Sequence, residues 1–300
     1  MSDPIVSDSE YRGVTARLPQ PIRDYAMLAR FDRPIGWWLL FWPCVWGVWL
    51  SGTGWQWNWL GWFLIGSIAM RGAGCVYNDM VDADLDAKVA RTQNRPIASG
   101  RVSRKAAAVW LGVLCLAGLI VLLQLDPPSQ LVALCSLGLV AAYPFMKRVT
   151  WWPQVWLGLV FSWGVLVAWT QLHGDSWLVL SAMYAGTVFW VVGYDTIYAL
   201  QDREDDALVG IRSSALRLGR RVTGGVAMFY LAALLLWALA FWLYRGDGLA
   251  VLALLPAAIH LAWQVATLDP ADSANPLERF RANRWTGFLV AAGCFVVGNA

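Results

Sequence analysis

Long apolar stretches alternate with short polar segments along almost the whole chain, and this pattern predicts a bundle of membrane-spanning helices. A helix needs about 20 residues to cross about 30 Å of hydrocarbon. Nine stretches meet or approach that length, at residues 35–50, 58–77, 105–124, 130–146, 153–172, 177–200, 222–244, 248–267 and 284–299. Because the first and last are short, counts of eight and ten stay open. The predicted fold class is an all-α integral membrane protein with nine transmembrane helices.

The residues before the first apolar stretch are polar. Residues 1–22 predict a flexible cytoplasmic arm, and they lack the apolar core of a cleavable signal peptide. From Pro21 to Arg33, apolar and charged positions alternate as in a short amphipathic helix at the membrane surface, although a plain flexible leader fits equally well. We predict a single transmembrane domain over residues 23–300.

Composition and charge support the membrane assignment. The chain of 300 residues is 58 % hydrophobic with a mean hydropathy of +0.50, which is too apolar for a soluble domain of this size. Only Arg245 among the 23 lysines and arginines lies in an odd-numbered loop of the nine-span arrangement. The positive-inside rule then predicts an N-in, C-out topology. The predicted location is a bacterial cell inner membrane, with the active site facing the cytoplasm.

Two acidic motifs occur at the ends of the second and sixth predicted spans. The first contains Asn78, Asp79, Asp82 and Asp86, and the second contains Asp195, Tyr198, Asp202 and Asp206. Spacings of three or four residues place Asn78, Asp82 and Asp86 on one helical face, and likewise the four residues of the second motif. Spans four apart end on the same side of the membrane. The shared order of apolar helix, acidic face and basic loop predicts two pseudo-repeated halves.

Clustered carboxylates at the edge of an apolar segment are costly, and a divalent cation would offset that cost. Taken alone, each motif also fits a solvated acidic helix end followed by a salt-bridged loop. Two such motifs with basic loops suit a polyphosphate bridged by magnesium, since Mg²⁺ prefers oxygen ligands and is bound by a few carboxylates plus substrate phosphates. The apolar bundle beside them implies a substrate with a hydrocarbon tail, such as a polyprenyl diphosphate.

The motifs also carry a family resemblance. The segment NDMVDADLDAKVARTQNRPIASG resembles the first signature of the UbiA superfamily of intramembrane prenyltransferases, N-D-x-x-D-x-x-x-D followed by R-T-x-N-R-P, and YDTIYALQDREDDALVGIRS resembles the second. The segments RFDRPIGWWLLFWP, MRGAGCVYND and YPFMKRVTWWPQVWLG resemble the branch that prenylates 4-hydroxybenzoate in ubiquinone biosynthesis. The resemblance in motifs covers roughly residues 25–220.

This resemblance implies nine helices around a central cavity, a requirement for Mg²⁺ and a role for each of several residues. The implied metal-binding residues are Asn78, Asp79, Asp82, Asp86, Asp195, Asp202 and Asp206, of which Asp82, Asp86, Asp202 and Asp206 are the implied catalytic residues. The implied diphosphate-binding residues are Arg91, Arg95, Lys147, Arg148 and Arg212. For the acceptor we predict Arg33 and Arg71, because a buried anionic acid needs a cation, together with Tyr198.

The predicted reaction transfers a polyprenyl group from its diphosphate to the ring carbon ortho to the hydroxyl of 4-hydroxybenzoate, giving 3-polyprenyl-4-hydroxybenzoate and diphosphate. A naphthoate or homogentisate acceptor is the alternative within the family. An ion-coupled secondary transporter is a more remote alternative, since both acidic groups lie at span ends beside basic loops. A CDP-alcohol phosphotransferase would need its acidic residues in one contiguous motif. Besides the lipid bilayer and the two substrates, we expect no nucleic acid and no obligate protein partner.

Overall fold

A computed structural model describes residues 17–88, 92–203, 207–208 and 210–300. Within these residues the regular structure is entirely helical, which agrees with the predicted all-α class. Helix α1, Gln20–Leu28, falls inside the segment predicted to be amphipathic, with Met27 and Leu28 buried and Ile22 exposed. Most of the predicted N-terminal arm, residues 1–16, lies outside the described part of the chain.

The other helices include the apolar stretches of the sequence and a few short helices between them. In chain order these are α2 (Ile35–Leu50), α3 (Trp57–Asp86), α4 (Arg104–Leu122), α5 (Pro127–Val149), α6 (Pro153–Gln171), α7 (Trp177–Tyr198), α8 (Ser214–Leu218), α9 (Val222–Arg245), α10 (Leu249–Leu252), α11 (Leu255–Ala266) and α12 (Asn275–Asn299). A short 3₁₀ turn, Gly219–Arg221, joins α8 to α9.

Six segments of the described chain are long and apolar enough to cross a membrane. They are α3, α4, α5, α6, α7 and the continuous stretch Ser214–Arg245. Helix α2 is apolar but has only 16 residues. These segments support a membrane protein, whereas the nine-span count and the N-in, C-out orientation stay predictions.

Two of the predicted spans differ from the helices that form. The stretch 248–267 is divided into α10 and α11, which are separated by Ala253 and Leu254. The turn precedes a proline, Pro256, which favours the first turn of a new helix because it lacks an N–H to donate. Helix α12 begins well before residue 284, and its first ten residues include four charges, at Glu278, Arg279, Arg281 and Arg284.

The chain clusters into two compact units, and each is described by itself. Unit 1 comprises Met1–Trp38 and Trp62–Gln124, and unit 2 comprises Leu39–Gly61 and Leu125–Ala300. The single domain and the two pseudo-repeated halves predicted from the sequence are not tested by this division and stay predictions.

The core of unit 1 joins α1 to α3 and α4 through small and aliphatic side chains. Leu28 and Ala29 pack with Ala73 and Val76 of α3 and Leu114 of α4. Small side chains let the backbones approach closely, as at Gly72 of α3, where an added Cβ would lie 3.3 Å from the Ala29 Cβ. This packing fixes the end of α1 against the half of α3 that carries the first acidic motif.

The core of unit 2 is aromatic at its centre. The indoles of Trp46, Trp190 and Trp237 are fully buried, with ring centroids 5.1–6.1 Å apart. The buried Trp190 Nε1 donates to Asn283 Oδ1 at 2.8 Å, and the Asn283 amide nitrogen donates to Gln264 Oε1 at 2.9 Å. Buried polar groups in an apolar bundle must be paired in this way, and the pairs fix how α7, α11 and α12 pack.

Candidate active site

The first acidic motif occupies the last turns of α3. The helix continues without a break through Asp86, so the predicted common face is confirmed for Asn78, Asp82 and Asp86. Asp79, Asp82 and Asp86 are 1 %, 0 % and 6 % exposed, whereas Asp84 on the opposite face is exposed. Buried carboxylates need charged or hydrogen-bonding partners, because their removal from water costs several kcal/mol per ion.

Two arginines pair with these carboxylates. Arg30 Nη2 lies 2.9 Å from Asp79 Oδ1 and 2.8 Å from Asp79 Oδ2. Arg95 Nη1 lies 2.8 Å from Asp86 Oδ2 and 3.2 Å from Asp79 Oδ1. Arg95 was predicted for the diphosphate, and in the structure it bridges two carboxylates of the motif. Arg30 was not predicted at all.

Arg30 has an unusual backbone and a tightly held side chain. It follows α1 with a φ of +58°, a left-handed conformation that non-glycine residues adopt rarely. Its Nη1 donates to the carbonyl of Met27 at 2.8 Å, so the same guanidinium caps α1 and pairs with Asp79. Burial alone would lower the pKa of Arg30, but the attraction of Asp79 outweighs it and the pKa is raised. Arg30 is therefore charged at every accessible pH. The available sequence signal was that Arg30 opens the segment RFDRPIGWWLLFWP, one of those that carry the family resemblance.

The loop from α3 to α4 is held at several points. The Thr92 hydroxyl donates to the carbonyl of Asp86 at 2.9 Å, and Arg101 Nε pairs with Asp24 of α1 at 3.0 Å. Ser103 caps α4 by accepting from the Ala106 N–H. These bonds keep the backbone around Arg95 close to the end of α3. Arg91, another predicted diphosphate ligand, lies outside the described residues.

The second acidic motif follows a different course. Helix α7 ends at Tyr198, and the chain then turns, with Leu200 N–H bonded to the Ile197 carbonyl and Gln201 N–H to the Tyr198 carbonyl. These i to i+3 bonds replace the helical i to i+4 pattern, so the helical face predicted for the whole motif ends at Tyr198 and Asp202 lies in the turn. Asp195, Tyr198 and Asp202 are half-buried. Asp206 lies outside the described residues.

Three predicted basic residues come together at the end of α5 in unit 2. Lys147 and Arg148 occupy the last turn of α5. The backbone N–H of Arg212 donates to the Lys147 carbonyl at 3.1 Å, and Arg212 Nη1 donates to the Val149 carbonyl at 2.8 Å. The Arg212 guanidinium also lies 5.6 Å from the ring centroid of Trp151. Arg212 therefore caps α5 and completes a basic cluster there.

The segment that carries Arg212 is anchored through its neighbours. The buried hydroxyls of Ser214 and Thr196 lie 2.7 Å apart, and the Ser214 N–H donates to Gln154 Oε1 at 3.1 Å. Thr196 belongs to the last turn of α7, so the basic cluster and the second acidic motif are linked through one buried hydrogen bond.

The residues predicted for the acceptor fall in both units. In unit 1, Arg33 is nearly buried, and its Nε lies 3.3 Å from Asp32 Oδ2. Arg71 of α3 passes close to Gly36 of α2, where an added Cβ would lie 2.6 Å from the Arg71 Nε. In unit 2, the ring of Tyr198 lies 4.7 Å from that of Phe280.

Comparison with known proteins decides the family. The model of the UbiA prenyltransferase family matches residues 40–292, which is most of the chain. The chain belongs to this family. The UbiA resemblance read from the two acidic motifs is thereby confirmed.

Several curated relatives share one activity. The mitochondrial 4-hydroxybenzoate polyprenyltransferase of Arabidopsis thaliana is 40 % identical over 92 % of this chain and 69 % of its own length. The enzymes of the same name from Rattus norvegicus and Homo sapiens are each 42 % identical, over 94 % of this chain and 76 % of their own lengths. The prediction of a bacterial cell inner membrane is wrong on this finding, because these UbiA relatives are mitochondrial.

Solved structures show the same fold. A UbiA homolog from Aeropyrum pernix K1 superposes with a TM-score of 0.72 at 24 % identity, covering 86 % of this chain and 97 % of the homolog. A UbiA homolog from Archaeoglobus fulgidus, bound to GPP and Mg²⁺, gives a TM-score of 0.67 at 15 % identity over 92 % of this chain and all of the homolog. The UbiA fold is therefore established for this chain.

The donor chemistry of the acidic motifs fits a magnesium ion. Among the described residues, no three acidic, histidine or cysteine side chains form a ready-made metal site. Mg²⁺ does not need one, because it keeps several waters and takes one or two carboxylates together with substrate phosphates. Asp82 and Asp86 are buried and Asn78 is half-buried, and their carboxylate and amide oxygens on one helical face are the ligand atoms that this ion prefers.

Proposed function

We propose that this UbiA-family protein transfers a polyprenyl group from polyprenyl diphosphate to 4-hydroxybenzoate, a step of ubiquinone biosynthesis. The observation that carries the proposal is the identity of 40–42 % with curated 4-hydroxybenzoate polyprenyltransferases over more than nine-tenths of the chain. Family membership supports prenyl transfer in general, and these relatives support 4-hydroxybenzoate over naphthoate or homogentisate as the acceptor. A secondary transporter finds no support among them.

The proposed cofactor is Mg²⁺. Support comes from the Archaeoglobus fulgidus homologs, which are described as bound to GPP and Mg²⁺ and to DMAPP and Mg²⁺. The residues proposed to hold the ion are Asn78, Asp82, Asp86, Asp195, Asp202 and Asp206. When bound, the ion neutralises charge on the diphosphate and makes it a better leaving group.

The chain's own residues bind and orient the two substrates. Arg95, Lys147, Arg148 and Arg212 are proposed to contact diphosphate oxygens, since guanidinium and ammonium groups donate charge-assisted hydrogen bonds to phosphate. The bond between the diphosphate oxygen and the allylic carbon breaks, and that carbon bonds to the ring carbon ortho to the phenol. The ring then loses a proton from the same carbon. Tyr198 and Asp195, half-buried neighbours on α7, are the proposed groups nearest that proton.

The acceptor carboxylate is proposed to pair with Arg71 or Arg33. An anionic acid that enters an apolar bundle needs a cation, and both arginines are mostly shielded from solvent in unit 1. Apolar walls exclude water, which would otherwise capture the allylic cation.

We also propose the nine-span arrangement, in which α2, the pair α10 and α11, and α12 cross the membrane with the six longer segments. The N-terminus and the basic loops would then share one side of the membrane.

The test is an assay of purified protein with radiolabelled polyprenyl diphosphate and, separately, 4-hydroxybenzoate, a naphthoate and homogentisate. We expect a prenylated product with 4-hydroxybenzoate, loss of activity with EDTA and recovery with excess Mg²⁺. EDTA already saturated with Mg²⁺ is the control for the chelator itself. If a prenylated product forms only with the naphthoate or with homogentisate, that compound is the acceptor. Turnover in metal-free buffer would contradict the magnesium site.

A further inference from the structure

We infer that Arg30 is a positioning residue for the diphosphate: it holds Asp79, Asp79 holds Arg95, and Asp79 itself is not a metal ligand. The inference rests on the proposed prenyl transfer, because it assigns Arg95 to the leaving group. It gives a role to Arg30, which opens the segment RFDRPIGWWLLFWP but was assigned no role from the sequence, and it removes Asp79 from the predicted metal-binding set.

Both oxygens of Asp79 are engaged by arginine. They accept hydrogen bonds from Arg30 Nη2, at 2.9 and 2.8 Å, and Oδ1 also accepts from Arg95 Nη1 at 3.2 Å. The side chain of Asp79 is 2 % exposed. A buried carboxylate that already accepts three hydrogen bonds from two guanidinium groups is a poor ligand for a further cation, and displacing either arginine would strand a buried charge.

The backbone of Arg30 adopts a conformation that its side chain must stabilise. A left-handed conformation costs an L-residue other than glycine about 1 kcal/mol or more, and glycine would adopt the φ of +58° freely. The side chain supplies what glycine lacks, because one guanidinium caps the Met27 carbonyl and pairs with Asp79. A backbone outlier held in place by such contacts is a common feature of functional sites.

The contacts continue from Asp79 to Arg95. The Nη1 of Arg95 has two carboxylate partners, Asp86 at 2.8 Å and Asp79 at 3.2 Å. Removal of the Asp79 charge leaves Arg95 with one carboxylate partner, and removal of Arg30 takes away the contact that orients Asp79 toward Arg95. A long side chain with one anchor samples more rotamers, and the diphosphate must then order it on binding.

The experiment compares ion binding with diphosphate binding in full-length protein. Mn²⁺ binding is measured by electron paramagnetic resonance, inorganic diphosphate binding by calorimetry in saturating Mg²⁺, and turnover by KM and kcat. For Arg30→Gln we expect the Kd of inorganic diphosphate and the KM for polyprenyl diphosphate to rise about 10- to 100-fold. The amount of Mn²⁺ bound should not change, and kcat should change less than KM.

Two aspartate variants separate positioning from ligation. Asp79→Asn should reproduce Arg30→Gln and retain Mn²⁺ binding. Asp82→Asn should lose Mn²⁺ binding. Arg30→Lys keeps the charge but has a single side-chain nitrogen, so it cannot cap the Met27 carbonyl and contact Asp79 through separate nitrogens as Arg30 does, and it should rescue diphosphate binding only in part. If Arg30→Gln does not fold, diphosphate affinity and Mn²⁺ binding are compared in Asp79→Asn and Arg30→Lys instead.

The matched control is Arg101→Gln. Arg101 also links the α1 region to another segment through a buried aspartate, Asp24, at 3.0 Å, but it makes no contact with the acidic motif among the described residues. Arg101 Nη2 also donates to the Asn94 carbonyl at 2.8 Å, beside Arg95, so we expect a loss of diphosphate affinity that is clearly smaller than in Arg30→Gln. If Arg101→Gln raised the Kd of inorganic diphosphate as much as Arg30→Gln, the packing of α1, and not the contact with Asp79, would explain the loss of affinity. That result would overturn the inference.

Two further results would overturn it. Loss of Mn²⁺ binding in Asp79→Asn would make Asp79 a ligand, and an unchanged Kd for inorganic diphosphate in Arg30→Gln would remove the positioning role. Failure of wild-type turnover with any acceptor would contradict the proposed function instead. The binding measurements use inorganic diphosphate and ions alone, so they decide the role of Arg30 in that case too.

Discussion

The ends of α3 and α7 have similar sequence patterns but different local structures. At the end of α3 the helix continues through Asp86, and its three inward carboxylates are almost fully buried. At the end of α7 the helix stops at Tyr198, and Asp195 and Asp202 stay half-buried. Similar motifs with spacings of three and four residues therefore give a continuous helical face in one case and a helix end with a turn in the other.

The two helix ends differ in how far their carboxylates are buried and in which groups lie beside them. Buried carboxylates on α3 require full charges nearby, and Arg30 and Arg95 supply them. The carboxylates after α7 retain contact with solvent, and the segment beyond them is fixed by a neutral hydrogen bond between Thr196 and Ser214. The first motif is held by ion pairs with Arg30 and Arg95, and the backbone around the second motif is held by turn hydrogen bonds and by the pair of hydroxyls. Substitutions at the two ends should therefore have different consequences.

The largest effect should come from removing one carboxylate from either motif. Asp82→Asn or Asp202→Asn should reduce turnover by more than about 1,000-fold, because each takes a charged oxygen donor from the proposed magnesium diphosphate complex. The measurement is kcat/KM with 4-hydroxybenzoate in purified, monodisperse protein.

The matched control is Asp84→Asn on the same helix. The side chain of Asp84 is 87 % exposed and pairs with Arg104 at the surface, so its loss should leave turnover within about twofold. Turnover near the wild-type level in either motif variant would refute the metal assignment for that motif.

The next largest effect should be a difference in the free energy of unfolding between variants at the end of α3 and variants at the end of α7. Arg30→Gln leaves Asp79 with half of its partners in a buried setting, and removing one member of a buried ion pair costs about 3 kcal/mol or more. Asp195→Asn changes a half-buried group, and we expect a cost below about 1 kcal/mol. Thermal unfolding in one detergent, monitored by intrinsic fluorescence, provides the comparison. Equal losses of stability in Arg30→Gln and Asp195→Asn would contradict the proposed difference between the buried, ion-paired first motif and the half-buried second motif.

The helices and the first motif follow from the sequence because they depend on local periodicity. The apolar run of about 20 residues and the i, i+4 and i+8 spacing predicted a helix with one acidic face, and α3 has both features. The stop of α7 does not follow, since no proline or glycine marks Ala199, and the helix ends where i to i+3 bonds take over. The pairing of Arg30 with Asp79 spans 49 residues and a left-handed turn, so no local pattern encodes it.

A smaller effect should follow from moving Arg71 relative to its neighbour. Gly36→Ala would place a Cβ 2.6 Å from the Arg71 Nε, and the flexible side chain can move away without disrupting the helix. If Arg71 binds the acceptor carboxylate, the acceptor KM should rise about tenfold while the KM for polyprenyl diphosphate changes little. Gly74→Ala on α3 meets no atom within 4 Å and is the control. Equal acceptor KM values in both variants would exclude Arg71 as the partner of the acceptor carboxylate.

The smallest effect concerns pH and the charge at position 30. The pKa of Arg30 is raised by Asp79, so its ion pair is complete below the ordinary arginine pKa and is lost only at pH values beyond the accessible range. Lysine has an ordinary pKa of about 10.4, below that of arginine, so a lysine at position 30 loses its charge at a lower pH than Arg30 does, although Asp79 also favours the charged lysine. The ratio of the inorganic diphosphate Kd in Arg30→Lys to that in wild type should therefore grow severalfold once the pH is high enough to remove the lysine charge, above about pH 10.4. Arg101→Lys makes the same exchange at the other α1 ion pair and should give a ratio that does not change with pH. A ratio that stays flat above the pH at which the lysine loses its charge would show that the charge on residue 30 does not control diphosphate binding.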